Sequence, residues 1–243
     1  MKRLLLFACL ATLVTAGECR AGFLDELTRR AAPLLQGSAL DDATVVKGLK
    51  EALATGTERA VNAVAKPDGY FGNQLVKILL PEKIRTAADV LGTLGYRKQV
   101  DEFVLSMNRA AEKAAPKAAG LFGDAVRQMT FDDAKKILNG GDRAATTFLE
   151  GKTRPKLFEE FKPVIAKSMS EVGTTRAYQE MIGKYEALPL AALAGGTSLD
   201  LDTYVTDKAL DGLFTMLGEE EKKIRTNPAA RTTDLLKTVF GSK

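Results

Sequence analysis

Histidine and tryptophan are absent from this 243-residue chain, and its only cysteines are Cys9 and Cys19. Without histidine there can be no Ser–His or Cys–His nucleophile, no imidazole general base and no imidazole metal ligand. Strand signals are almost missing, and no internal repeat of fixed period is present. Basic runs are lacking too, which argues against a nucleic-acid partner, since that binding wants a clustered basic face. Beyond the N-terminal region no stretch approaches the roughly eighteen apolar residues that cross a bilayer.

The N-terminus reads "MKRLLLFACLATLVTAGECRAGF". Lys2 and Arg3 precede an apolar run from Leu4 to Val14, and small residues follow at Ala16 and Ala21. That order is the layout of a secretory signal peptide, too short to span a membrane. Cleavage after Ala16 or Ala21 fits, and we expect a leader over 1–21 and a helical domain over 22–243. Cys19 follows Glu18 and Cys9 lies within the apolar run, so a lipid anchor is disfavoured. The expected mature protein is periplasmic or secreted and cysteine-free, stabilised by its core alone. Removing Lys2, Arg3, Arg20 and Glu18 from 35 basic and 31 acidic residues leaves 32 against 30, a nearly balanced surface.

The dominant period is helical. From Asp42 to Ala65, Val45, Val46, Leu49, Ala52, Leu53, Gly56, Ala60, Ala63 and Val64 share one face. Ala52, Gly56 and Ala60 form a small-residue lane suited to close helix packing. "KPDGYFGN" (66–73) reads as a loop, followed by a short extended piece over 75–80. Pro81 opens a helix to about Leu94, and Gly95 ends it. Arg97–Ala114 and Lys117–Gln128 are further helices, separated at Pro116. A helix over 155–172, interrupted or kinked at Pro163, precedes one from Thr175 to Tyr185. A loop from Leu188 to Asp202 leads to a long helix from about Thr203 to Arg225, and Asn227 and Pro228 start a short terminal one. The expected fold is all-α: roughly eight to ten helices in one bundle-like domain, with the helix ending at Ala65 semi-independent.

"QMTFDDAKKILNGGDRAATTFLEGKT" (128–153) holds paired aspartates, a glycine pair and Gly-Lys-Thr. A phosphate loop needs a glycine five residues before Gly151, where Thr146 stands, and the preceding residues look helical. An EF-hand calcium loop fails on spacing. Capping fits better: Thr130 with Asp133 at a helix start, Gly140 closing it in a left-handed conformation, and Asp142 capping the next helix. The amides at Gly141, Asp142 and Arg143 remain a candidate anion site.

Glu221 falls within the apolar face formed by Leu210, Leu213, Phe214, Leu217 and Ile224. If desolvated, it would suit a general acid; pairing with Arg225 is the structural alternative. Asp200, Asp202, Asp207 and Asp211 form an acidic cluster that a divalent cation could use, or from which Asp200 or Asp202 caps the long helix. Tyr178 and Tyr185, one heptad apart, line either a ligand groove or the core.

The blocks "LKEALATGTERAV" (49–61), "LSMNRAAEKAAPKA" (105–118), "QMTFDDAKKILNGGDRAAT" (128–146), "YVTDKALDGLF" (204–214) and "EEEKKIRTNPAARTTDLLKTVFG" (219–241) resemble an exported bacterial family, domain of unknown function 4197. The resemblance spans nearly all of the chain beyond the leader. It implies an exported, mainly helical protein of Gram-negative-type bacteria, and it brings no activity or site residues with it. The leading expectation is a non-enzymatic periplasmic protein that binds a small ligand or an envelope protein, with no cofactor. The alternatives are an envelope glycan hydrolase using Glu221 alone and a carboxylate-based cation-binding protein.

Overall fold

Helical periodicity decides nearly every described segment, because apolar residues three and four apart turn together into one core. The structure, a computed structural model, describes residues 42–171, 178–180, 182–183, 200–227 and 229. The leader at 1–21, Tyr185, the loop from Leu188 up to residue 199 and the helix expected after Pro228 lie outside these residues. The fold is all-α, with no strand among the described residues.

Helix α1, Asp42–Ala65, buries Leu49, Leu53, Ala60 and Val64 as its pattern predicts, and Val61 as well. A Cβ added at Gly56 would sit 3.6 Å from Ile224 Cδ1, so the small-residue lane does seat a neighbouring helix. Helix α2, Glu82–Leu91, starts directly after Pro81. A π-helical turn, Gly92–Tyr96, joins it to α3, Arg97–Ala114, and contains Gly95 at φ 92°. That positive φ reverses the chain where a side chain would be strained. A 3-10 turn holding Pro116, Ala115–Lys117, leads into α4, Ala118–Gln128. Then come α5, Phe131–Asn139, α6, Ala144–Glu171, and α7, Leu201–Thr226.

Of the interruption or kink expected at Pro163, the interruption does not occur: α6 runs through both Pro155 and Pro163. Each proline lacks an N–H and frees the carbonyl four residues back, at Gly151 and Glu159. All four positions are exposed, so water meets those carbonyls and the helix continues.

Helices α6 and α7 pack on each other at the centre; α1 lies against α7, and α3 against α6. Phe103, Phe122, Phe161 and Phe214 are fully buried, with Phe122 and Phe214 edge to face at 5.8 Å. Residues Asp41–Lys243 form one compact unit, to which α1 belongs. No helix among the described residues is long and apolar enough to cross a membrane.

Candidate functional site

Glu221 lies among apolar neighbours on α7 and is 8 % exposed. Its Oε1 accepts the Ala145 N–H (3.0 Å) and the Arg225 Nε–H (2.9 Å). Its Oε2 accepts the Thr146 N–H and hydroxyl, each at 2.8 Å. A carboxylate offers about four lone-pair sites, and all of them are engaged. Glu221 therefore caps the first turn of α6 from a different helix, placing negative charge at its positive end. Asp142 does not supply that cap, correcting the sequence expectation; it is exposed and the first-turn amides point to α7.

Arg225 completes this corner by donating to the Ile137 carbonyl at the end of α5 (2.9 Å). Gly140 closes α5 at φ −81°, ψ 174°, which is extended and not left-handed, so a second expectation is corrected. Arg143 donates to the Phe214 carbonyl (3.3 Å). At the anion site expected around Gly141, Asp142 and Arg143, the chain's own carboxylate occupies the Ala145 and Thr146 amides.

The four aspartates are divided among separate tasks. Asp200 accepts the Thr203 N–H (3.0 Å), capping α7, and lies 3.4 Å from Lys162. Asp211 pairs with Arg154 (2.7 Å) and Lys208 (3.2 Å), while Asp207 stands 3.7 Å from Arg154. Asp202 is half-buried; burial, then the Asp200 charge, pushes its carboxyl above the usual range. Among the described residues no three acidic groups converge on one point. Tyr178 is buried and stacks on Phe103 at 5.7 Å.

A buried polar network escaped the sequence reading. Loop 66–81 lies across α3 and α7, and its polar backbone must find partners there. Asn108 accepts the Ile78 N–H and donates to the Ile78 carbonyl, both at 2.8 Å. One side-chain amide thus replaces a neighbouring strand for the extended piece. Glu112 Oε1 accepts the Tyr70 and Phe71 N–H groups (3.1 and 3.3 Å), and Arg109 bridges Glu112 and Asp68. The Tyr70 ring is fully buried against Gly212, and its hydroxyl donates to the Ala209 carbonyl (2.6 Å). Burial, then the Glu112 charge, raises that hydroxyl far above an ordinary phenol. The available signal was Asn108 and Glu112, one helical turn apart beside the apolar stripe of α3.

Two concavities among the described residues bear on these groups. One, of about 30 Å³, is an apolar groove among Leu53, Gly56, Leu217 and Ile224 with Glu221 and Arg225 at its side. That is room for two or three waters. The other, of about 220 Å³, lies between α4, the start of α5 and the middle of α6. Its α4 and α5 wall presents Asp124, Gln128, Thr130 and Asp133; its α6 wall presents Phe148, Lys152 and Lys156. Thr130 and Asp133 form the expected capping box, with Asp133 Oδ2 accepting the Thr130 N–H (3.1 Å) and hydroxyl (2.7 Å). Those bonds hold the Asp133 carboxyl below the usual range, the hydroxyl first and the amide second. Asp124 is paired with Arg127. Gln128 and Thr153 open and close the 128–153 stretch, and the fold sets them around one cleft without a phosphate-loop motif.

The model of a family described as "Protein of unknown function (DUF4197)" matches residues 39–241 of the chain. No curated protein and no solved structure matches it.

Proposed function

The chain belongs to the DUF4197 family, whose role is unknown, so function has to be read from its own residues. From these we propose an exported, non-enzymatic protein that binds a small ligand in the cleft between α4, α5 and α6. The observation that carries this reading is the cleft itself, about 220 Å³, lined by both polar and apolar side chains. An apolar cavity of about 150 Å³ is enough to hold benzene, so this volume suits a compact organic molecule. The leader pattern over 1–21 supports export. The bonding of the three buried acids, Glu112, Glu220 and Glu221, supports a non-enzymatic role; Glu220 pairs with Lys223 at 2.7 Å. Glu112 and Glu221 are held by backbone N–H groups and arginines, and neither would transfer a proton without first breaking those bonds. The glycan-hydrolase alternative on Glu221 is disfavoured on that ground, and the cation alternative by the dispersal of the four aspartates.

Native mass spectrometry of the protein purified from its own compartment tests this. We expect a copurifying small molecule, lost when Ala125→Phe fills the cleft. A bound mass that survives Ala125→Phe, or glycan cleavage abolished by Glu221→Gln in a folded protein, would overturn the reading.

A further inference from the structure

We infer that the ligand of this cleft is a small organic acid, its anionic end on Lys152 and Lys156 and its apolar end against Phe148 and Leu121. The inference rests on the ligand-binding reading above and adds the sign and shape of the ligand.

The argument begins with which charges are already answered. Both carboxylates of the cleft are engaged by their own wall: Asp124 by Arg127, and Asp133 by the Thr130 amide and hydroxyl. The Asp133 N–H in turn donates to the Thr130 hydroxyl oxygen (3.1 Å), closing the capping box on that wall. Lys152 and Lys156 differ. Both are exposed, and neither has a carboxylate within 4.0 Å among the described residues. Lys152 lies over the Phe148 ring, at 5.9 Å, and its charge also acts on the Asp133 carboxylate, helping to hold it below the usual range. Their spacing of four residues sets the two ammonium groups one helical turn apart on the same wall. Asp133 answers part of the Lys152 charge, and among the described residues no carboxylate stands against Lys156, so the cleft is left with one positive charge in excess, which suits a carboxylate held between the two lysines.

The remaining lining sets the other end. Leu121 and Ala125 on α4 and Phe148 on α6 give an apolar strip beside the lysines. A bare inorganic anion would leave this strip wet, whereas a ring or short chain carrying one acidic group covers it. The volume of about 220 Å³ holds a benzene-sized body with a carboxylate attached. Gln128 and the Thr130 hydroxyl line the same cavity and add polar contacts for a hydroxyl or carbonyl on the ligand.

The probes are benzoate, inorganic phosphate and benzylammonium, titrated into isotopically labelled protein and followed by backbone amide resonances. Benzoate is expected to shift resonances of Thr130, Phe148 and Lys152, more strongly than phosphate, while benzylammonium leaves them unmoved. Two exposed ion pairs together contribute about tenfold in affinity, so the K152Q/K156Q double variant should bind benzoate about tenfold more weakly. The K152R/K156R variant should restore binding, and K98Q on α3 should change nothing. Equal shifts with benzoate and benzylammonium, or unchanged benzoate affinity in K152Q/K156Q, would refute the acidic ligand while leaving a ligand cleft. Absence of any shift at the cleft with all three probes, together with no copurifying mass, would overturn both.

Discussion

Replacing Glu221 with glutamine keeps its size and removes the charge that closes the corner between α5 and α6. The glutamine oxygen, set in the Oε1 position, still accepts from Ala145 and Arg225. Its NH₂ then faces the Thr146 N–H, a donor against a donor at the 2.8 Å separation seen for the carboxylate. Thr146's hydroxyl can turn to accept, but its amide is left orphaned in a buried place. Arg225, with its side chain only 15 % exposed, loses its counter-charge at the same time. Bonds to a charged group contribute about 1.5–3 kcal/mol each, and a stranded buried partner costs about as much, so the expected loss is about 3 kcal/mol. For a unit of this size that corresponds to a fall in Tm of about 6–12 °C. Urea unfolding followed by far-UV circular dichroism reads the difference, and the denaturant slope should stay unchanged. A double-mutant cycle with Thr146→Val should give a coupling energy of about 1–2 kcal/mol. A loss below about 0.5 kcal/mol, the size of a surface substitution, would refute the reasoning.

Asn108→Ala strands both the N–H and the carbonyl of Ile78 in a buried position, and should cost about 2–4 kcal/mol in the same assay; a loss under 1 kcal/mol would mean water takes the amide's place. Gly212→Ala should destabilise by about 1–2 kcal/mol although alanine is the better helix former, because its Cβ would lie 2.6 Å from Tyr70 Cε1. Gly151→Ala, with nothing within 4 Å, should instead gain about 0.5–1 kcal/mol, and equal signs for the two glycines would contradict the packing described. Thr130→Ala should cost about 1 kcal/mol at neutral pH through loss of the capping box. Because Asp133's folded-state value is lowered, the stability from its bonds to Thr130 is present above the ordinary carboxylate range and is lost as pH falls through that lowered value. The gap between parent and Thr130→Ala should therefore shrink in acid, and a gap constant with pH would separate the cap from Asp133.

What could be read from the chain was what depends on near neighbours. The stripe on α1 and the Thr130–Asp133 box are patterns of three and four residues; the box is formed, and Leu49, Ala52, Leu53, Ala60 and Val64 of the stripe are buried. Pro163 does not interrupt its helix, because a proline's effect depends on whether its freed carbonyl meets water, and an isolated pattern does not say which face is wet. Glu221 stood out as a charge on an apolar face, yet its partners lie 75 and 76 residues upstream. Asn108 and Glu112 looked like the edge of a stripe because the loop they satisfy has no period. The cleft was not legible for the same reason: it is assembled from three helices, and only the fold shows that Asp124 is paired with Arg127 and that Asp133 acts on Lys152 while, among the described residues, no carboxylate stands against Lys156.

The dependence of the fold on α7 also bears on when the protein can fold. Tyr70's hydroxyl waits for Ala209, 139 residues later, and the Ile137 carbonyl waits for Arg225, 88 residues later. On the ribosome these partners emerge after α1 to α6, so a nascent chain holding only α1 to α6 has an open helix end and a tyrosine whose acceptor has not been made. Closing such long loops costs entropy that only the completed helix repays. Growth of the chain thus keeps it from settling early, and folding of this unit waits until α7 has been made.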